Sequence, residues 1–247
     1  MTSSPYTPFT NDTMPNGTLS LFAILLGFFL FTILLAILYA LSNPVPWIGE
    51  HLTEIYAVAF LFLPHLYHSR TGFPIPDFGP LIRSLSVGIL IMLVIGTLFT
   101  FSYYAYFHYR CDMQWNLWNL GRRCVAWHPF SLPSFRFISR LLFIHAIAVA
   151  LPEEYFYRGF LQPLIITSKT LKRFSDRQRI AIGIVLQAFL FACGHALVDF
   201  NPLRFSVFFP GLLFGWAAHI TRGLWAPIVL HTGANVLSET LEAGFFG

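Results

Sequence analysis

Two adjacent carboxylates and an arginine, Glu153, Glu154 and Arg158, interrupt an otherwise apolar run from Phe135 to Ile166. Charged groups at bilayer depth cost at least a few kcal/mol each, so they carry partners or a function. On a helix, Glu154 and Arg158 stand one turn apart on one face and can pair. Glu153 lies about 100° around that helix and is left without the partner. One carboxylate therefore reads as half of a salt-bridged strut. The other reads as a free base in a low-dielectric setting, the kind of group that takes a proton near neutral pH. The plainer alternative is a helix end at the membrane surface, where all three side chains meet water.

Two later apolar segments carry the other chemistry-bearing side chains. His195 stands near the end of Ile180–Leu197, and His231 with Asn235 stands in Leu224–Leu241. His231 and Asn235 are four residues apart, one above the other on a helical face. A lone histidine in a membrane helix is more often a hydrogen-bonded packing residue than a ligand. Two histidines, an asparagine and a carboxylate pair amount to the parts of a hydrolytic site: a base, imidazoles to activate water or bind a metal, and an amide to hold an oxyanion. Helical rise brings both histidines toward the middle third of a ~30 Å core, about 12 Å apart along the normal before tilt. There is no HExxH, GxSG or GxGD pattern, which disfavours zincin, rhomboid-like and presenilin-like chemistry. Asp199, one turn after His195, is placed to orient it or to cap the helix at the interface.

The elements that must position these residues follow from composition. The chain is 56% hydrophobic and 11% charged, whereas soluble domains carry about 25% charged residues. Long unbroken apolar runs exclude the alternating pattern of an outer-membrane barrel. The fold class expected is all-α, a polytopic membrane bundle of about seven or eight transmembrane helices. Residues 1–18 read as a disordered polar tail with two glycosylation-like sequons at Asn11 and Asn16. Residues 19–134 supply N-terminal spans near Leu19–Leu41, Glu54–His68 and Ser84–Tyr106 and an interfacial loop, His108–Pro133. Residues 135–247 form the candidate catalytic core. Pro152 is expected to kink the long segment Phe135–Ile166 or to split it into a span and a tucked-in helix. A split would let the basic stretches around Arg122–Arg140 and Lys169–Arg179 share the cytoplasmic side. The net charge of +4 lies mostly in loops and reads as topology, with no nucleic-acid surface. Cys111 and Cys124 share the long loop and can pair in an oxidising compartment. Membrane anchoring is the ordinary explanation for His108, Cys111, Cys124 and His128, ahead of a metal site.

Glu153-Glu154-x-x-x-Arg158, Phe191-x-x-x-His195 and His231-x-x-x-Asn235 occur in that order. This set resembles the three motifs of the CAAX protease and bacteriocin-processing family, which includes the type II CAAX prenyl endopeptidases. The resemblance covers about Phe135 to Leu241; the first three spans match nothing beyond helical-membrane character. It implies an intramembrane endopeptidase in which Glu153 activates water with His195, Glu154 and Arg158 shape the site, and His231 and Asn235 stabilise the oxyanion. It also implies a membrane-anchored protein or lipidated peptide as substrate, cut near its C-terminus within the lipid bilayer. A metal-free glutamate mechanism is favoured slightly, although Glu153, His195 and His231 would equally suit zinc. The stretches Leu151–Gln162, His195–Phe200 and Phe208–Gly215 look more like the bacterial myxosortase-like branch, which implies a multi-pass protein of the cytoplasmic (inner) membrane. The competing readings are a non-proteolytic immunity or scaffold protein that retains the motifs, and a transporter with a Glu/Arg/His proton relay. No pair of broken, repeat-related helices supports the transporter.

Overall fold

The computed structural model describes residues 19–112, 127–198 and 200–247, and among them there are helices and no strand. Helix α1 (Leu21–Leu41) starts where the Ser20 hydroxyl accepts from the Ala23 N–H. It is apolar all round, but only Ile24, Phe28, Thr32 and Leu35 are buried. That three- and four-residue spacing makes one stripe against the protein and leaves Phe22, Leu26 and Leu30 facing outward, as lipid exposure requires. After a short helical turn at Pro46–Glu50, α2 (Leu52–Thr71) runs through Pro64 and stops at Gly72, whose φ of 71° is the left-handed cap that glycine adopts without strain.

Helix α3 (Leu81–Asp112) lies along the last helix, α7 (Trp225–Phe246). Glycines set their approach: a Cβ on Gly88 would stand 2.8 Å from Ala226 Cα, and one on Gly233 would meet Met92. Between them in sequence come α4 (Phe135–Ile166), α5 (Asp176–Val198) and α6 (Phe208–Thr221). Among the described residues, five helical segments are long and apolar enough to cross a bilayer: Leu21–Leu41, Leu81–Tyr109, Phe135–Ile166, Asp176–Val198 and Pro202–Thr221. The expected helical membrane bundle is therefore present, with α2 and α7 as further long helices beside those five.

The segment expected to kink or split at Pro152 is one continuous helix. Two π-helical stretches, His145–Ala150 and Tyr155–Leu161, flank the α-turn Leu151–Glu154. The Leu151 N–H bonds the Ala146 carbonyl and the Gln162 N–H bonds the Tyr157 carbonyl, five residues back in both cases. Each widened stretch lies just ahead of a proline, Pro152 or Pro163, that occupies the second position of the next α segment. A proline ring collides with the carbonyl one α-turn back and offers no N–H. Slipping the ladder by one residue gives the ring room, so the helix survives. Arg136 and Arg140 in the first turns of α4 and the basic stretch from Lys169 after its end consequently sit at opposite ends of one helix.

Of the long loop, residues 113–126 lie outside the described part, and with them Cys124, Trp115 and Trp118. Cys111 is disulfide-bonded and Cys193 is free. Trp127 stacks on Phe107 and Phe245, and Phe107 meets Phe246 edge-on, which pins the end of α7. The main core joins α1, α2, α4 and α5 through Phe28, Phe60, Phe156, Tyr157, Phe160 and Phe191.

Candidate active site

The α-turn between the two π stretches carries the carboxylates. Glu154 is sealed: its side chain and that of Arg158 are both 0% exposed, and Glu154 Oε1 accepts from Arg158 Nη1 at 2.7 Å. The same oxygen lies 2.7 Å from His231 Nδ1. A carboxylate only accepts, so Nδ1 of His231 carries a proton and Nε2 points onward. Arg158 also donates to the Gly211 carbonyl at 3.3 Å and lies over the rings of Phe191 (4.4 Å) and Phe214 (5.2 Å). Phe214 in turn stacks on His231 at 5.3 Å. Glu154 is thus the strut expected, and it fastens α4 to α7 as well as to its own Arg158.

Glu153 is different in kind. Its side chain keeps 15% exposure, and its Oε2 is buried without a hydrogen-bond partner. That oxygen stands 3.8 Å from His195 Nε2 and 3.9 Å from His231 Nε2. His195 Nδ1 is 3.1 Å from the Phe191 carbonyl. A carbonyl accepts, so that nitrogen donates, and the neutral ring presents Nε2 toward Glu153 as an acceptor. These separations are too long for direct hydrogen bonds. They suit two groups sharing one water at ~2.8 Å. Tetrahedral zinc ligands at ~2.0–2.1 Å would stand only about 3.3–3.4 Å apart, and among the described residues no three His, Cys, Asp or Glu side chains are grouped to hold an ion. As placed, Glu153, His195 and His231 do not form a zinc shell.

A cavity of about 400 Å³ opens on this cluster. Glu153, Tyr157 and His195 form one wall; Thr32 and Leu35 of α1 and Tyr56 of α2 form the other. Tyr56 donates to the Leu35 carbonyl at 2.8 Å and so ties the two outer helices together. The sequence motifs pointed to none of these outer residues. Tyr157 was legible, standing one turn beyond Glu153 on the same face. Gly194 is needed beside it, because a Cβ there would lie 2.7 Å from the Tyr157 hydroxyl.

Five of the six candidate residues, Glu153, Glu154, Arg158, His195 and His231, therefore meet in one cluster. Asn235 lies one turn beyond His231 on α7, with its Nδ2 3.3 Å from His145 Nδ1. Asp199 lies outside the described residues. Residues 136–237, which hold all six positions, match the family described as type II CAAX prenyl endopeptidase Rce1-like. The match makes this segment similar to a family of CAAX-type intramembrane proteases. No curated protein and no solved structure matches the chain.

Proposed function

We propose that the protein is an intramembrane endopeptidase that hydrolyses a peptide bond near the C-terminus of a membrane-tethered protein, with Glu153 as general base. The observation that carries this reading is the buried, unpartnered Glu153 Oε2, facing two imidazoles across a water-sized gap at the edge of a cavity. A buried polar atom without a partner costs about 1–3 kcal/mol and is kept where it serves a function.

In this mechanism Glu153 Oε2 and His195 Nε2 accept the two hydrogens of the attacking water. The water oxygen bonds to the scissile carbonyl carbon as its proton passes to Glu153. The carbonyl oxygen becomes an oxyanion, which the Asn235 amide stabilises together with His231 Nε2–H when that ring carries both protons. Glu154 holds His231 throughout. Collapse breaks the C–N bond, and Glu153 returns the proton to the departing amine nitrogen. Sites of this kind act by electrostatic placement in a water-poor setting, where a fixed donor is worth far more than in bulk water.

The test is cleavage by purified protein in liposomes, wild type beside Glu153→Ala, with and without a chelator. Prenylated CAAX peptides and hydrophobic C-terminal anchor peptides are the two substrate sets. Glu153-dependent, chelator-resistant cleavage is expected, and the set that is cut identifies the substrate class. Equal turnover by Glu153→Ala would remove the proposed base. Chelator-sensitive turnover restored by zinc would replace this mechanism with a metal one. Failure to cut either set would favour a scaffold that retains the motifs.

A further inference from the structure

Two polar residues beside Asn235 are not used by this reaction. His145 stands at the start of the first π stretch of α4, with its Nε2 2.8 Å from Glu239 Oε1 and its Nδ1 3.3 Å from Asn235 Nδ2. The ring is mostly buried, at 13% side-chain exposure, while Glu239 reaches outward at 47%. The hydrogen-bond inventory fixes the protons. A carboxylate accepts, so His145 Nε2 carries the hydrogen and donates to Glu239. In the neutral ring Nδ1 is then an acceptor, and it receives the Asn235 amide. The amide nitrogen has two hydrogens; one is held by His145 and the second remains to be offered.

We propose that His145 and Glu239 are positioning residues that fix the orientation of the Asn235 amide, so that its second N–H is presented to the oxyanion. The proposal rests on the hydrolytic reading above and adds two residues to it. Without the relay, the amide can turn its oxygen, an acceptor, toward the place where negative charge develops. The layout supports the role. His231, Asn235 and Glu239 recur every four residues on α7 and share one stripe. His145 comes from α4, the helix that carries Glu153. The relay therefore ties the oxyanion side of the site to the base side.

The experiment is a double-mutant cycle on cleavage, joined to ¹⁵N-histidine NMR of the full-length protein in detergent. Asn235→Ala should lower kcat by about 10²–10³, the loss typical of one oxyanion donor. His145→Leu should lower kcat about five- to tenfold with KM unchanged, the value of one neutral hydrogen bond. In the Asn235→Ala background it should cost nothing further, because it acts through that amide. Glu239→Gln, which keeps an acceptor, should retain most of kcat, whereas Glu239→Ala should behave like His145→Leu even if the latter folds poorly. Equal losses from His145→Leu and Glu239→Ala in both backgrounds, or no loss in either, would overturn the relay. A full-rate Asn235→Ala would instead remove the oxyanion role itself. The NMR needs no turnover: His145 should be the Nε2–H tautomer and His195 the Nδ1–H tautomer. A His145 ring protonated at Nδ1, or unchanged by Glu239→Ala, would sink the proposal independently of any substrate.

Discussion

Glu153 and Glu154 are neighbours in sequence, yet replacing each by glutamine should damage different things. Glu154 Oε1 accepts from Arg158 and His231 at 2.7 Å each, and neither side chain of the Glu154–Arg158 pair has any exposure. Glu154→Gln keeps the shape and an acceptor but leaves the guanidinium buried without its counter-charge. Breaking one half of a buried pair costs roughly 3–5 kcal/mol. For a chain of this size each kcal/mol is worth about 2–4 °C, so the midpoint should fall by roughly 6–20 °C. Glu153 Oε2 accepts no hydrogen bond, so Glu153→Gln removes an uncompensated charge and should leave the midpoint within about 3 °C of wild type. Its cleavage rate should fall by about 10²–10⁴, the usual contribution of a general base. The assay is thermal unfolding of both variants in one detergent, beside turnover of one substrate at a temperature where both stay folded. A Glu153→Gln midpoint as low as that of Glu154→Gln would refute the division into base and strut. So would a fully stable Glu154→Gln.

Two further outcomes follow from the cavity and its packing. Gly194→Ala should cost about 1–3 kcal/mol in thermal stability, because the added Cβ would stand 2.7 Å from the Tyr157 hydroxyl. Tyr157→Phe in the same chain should restore most of that loss, since it removes the colliding oxygen; an equal midpoint for the single and double variants would show that the collision is relieved elsewhere. Thr32→Phe on α1 should raise KM about tenfold with little change in midpoint, because it projects into the space that faces Glu153 and His195. Unchanged KM in a steady-state titration would mean that substrate enters without using the α1 wall.

What the sequence could reveal here followed from periodicity and side-chain type. Charged residues set in apolar runs marked α4, and the expected span at Ile180–Leu197 became Asp176–Val198 with only its ends extended. The i, i+4 spacing of Glu154 and Arg158 was enough to foresee their pairing, because both partners lie on one helix. The contact of Glu154 with His231 spans 77 residues and that of His145 with Asn235 spans 90, so no local rule could find them. The α1 and α2 walls of the cavity were hidden for the same reason. Their residues are Thr, Leu and Tyr at ordinary helical spacing, and only packing gives them a face toward Glu153.

Pro152 was expected to kink or split α4, and the helix runs through it unsplit for an instructive reason. Pro152 and Pro163 each predict an interruption when the helix is assumed to keep an α ladder. Here the ladder widens ahead of both, and the chain continues to Ile166. The Leu151–Glu154 turn is thereby held between two π stretches, which rotate the flanking residues out of the strict 3.6-residue register. Glu153 can then face the cavity while Glu154 and Arg158, its neighbours on the same few turns, stay sealed against α6 and α7. A break at Pro152 would have separated both carboxylates from His145, which bonds Asn235 of α7. Continuity through the proline keeps His145, Glu153 and Glu154 on one helix, where they meet Asn235 and His231 of α7 in a single frame.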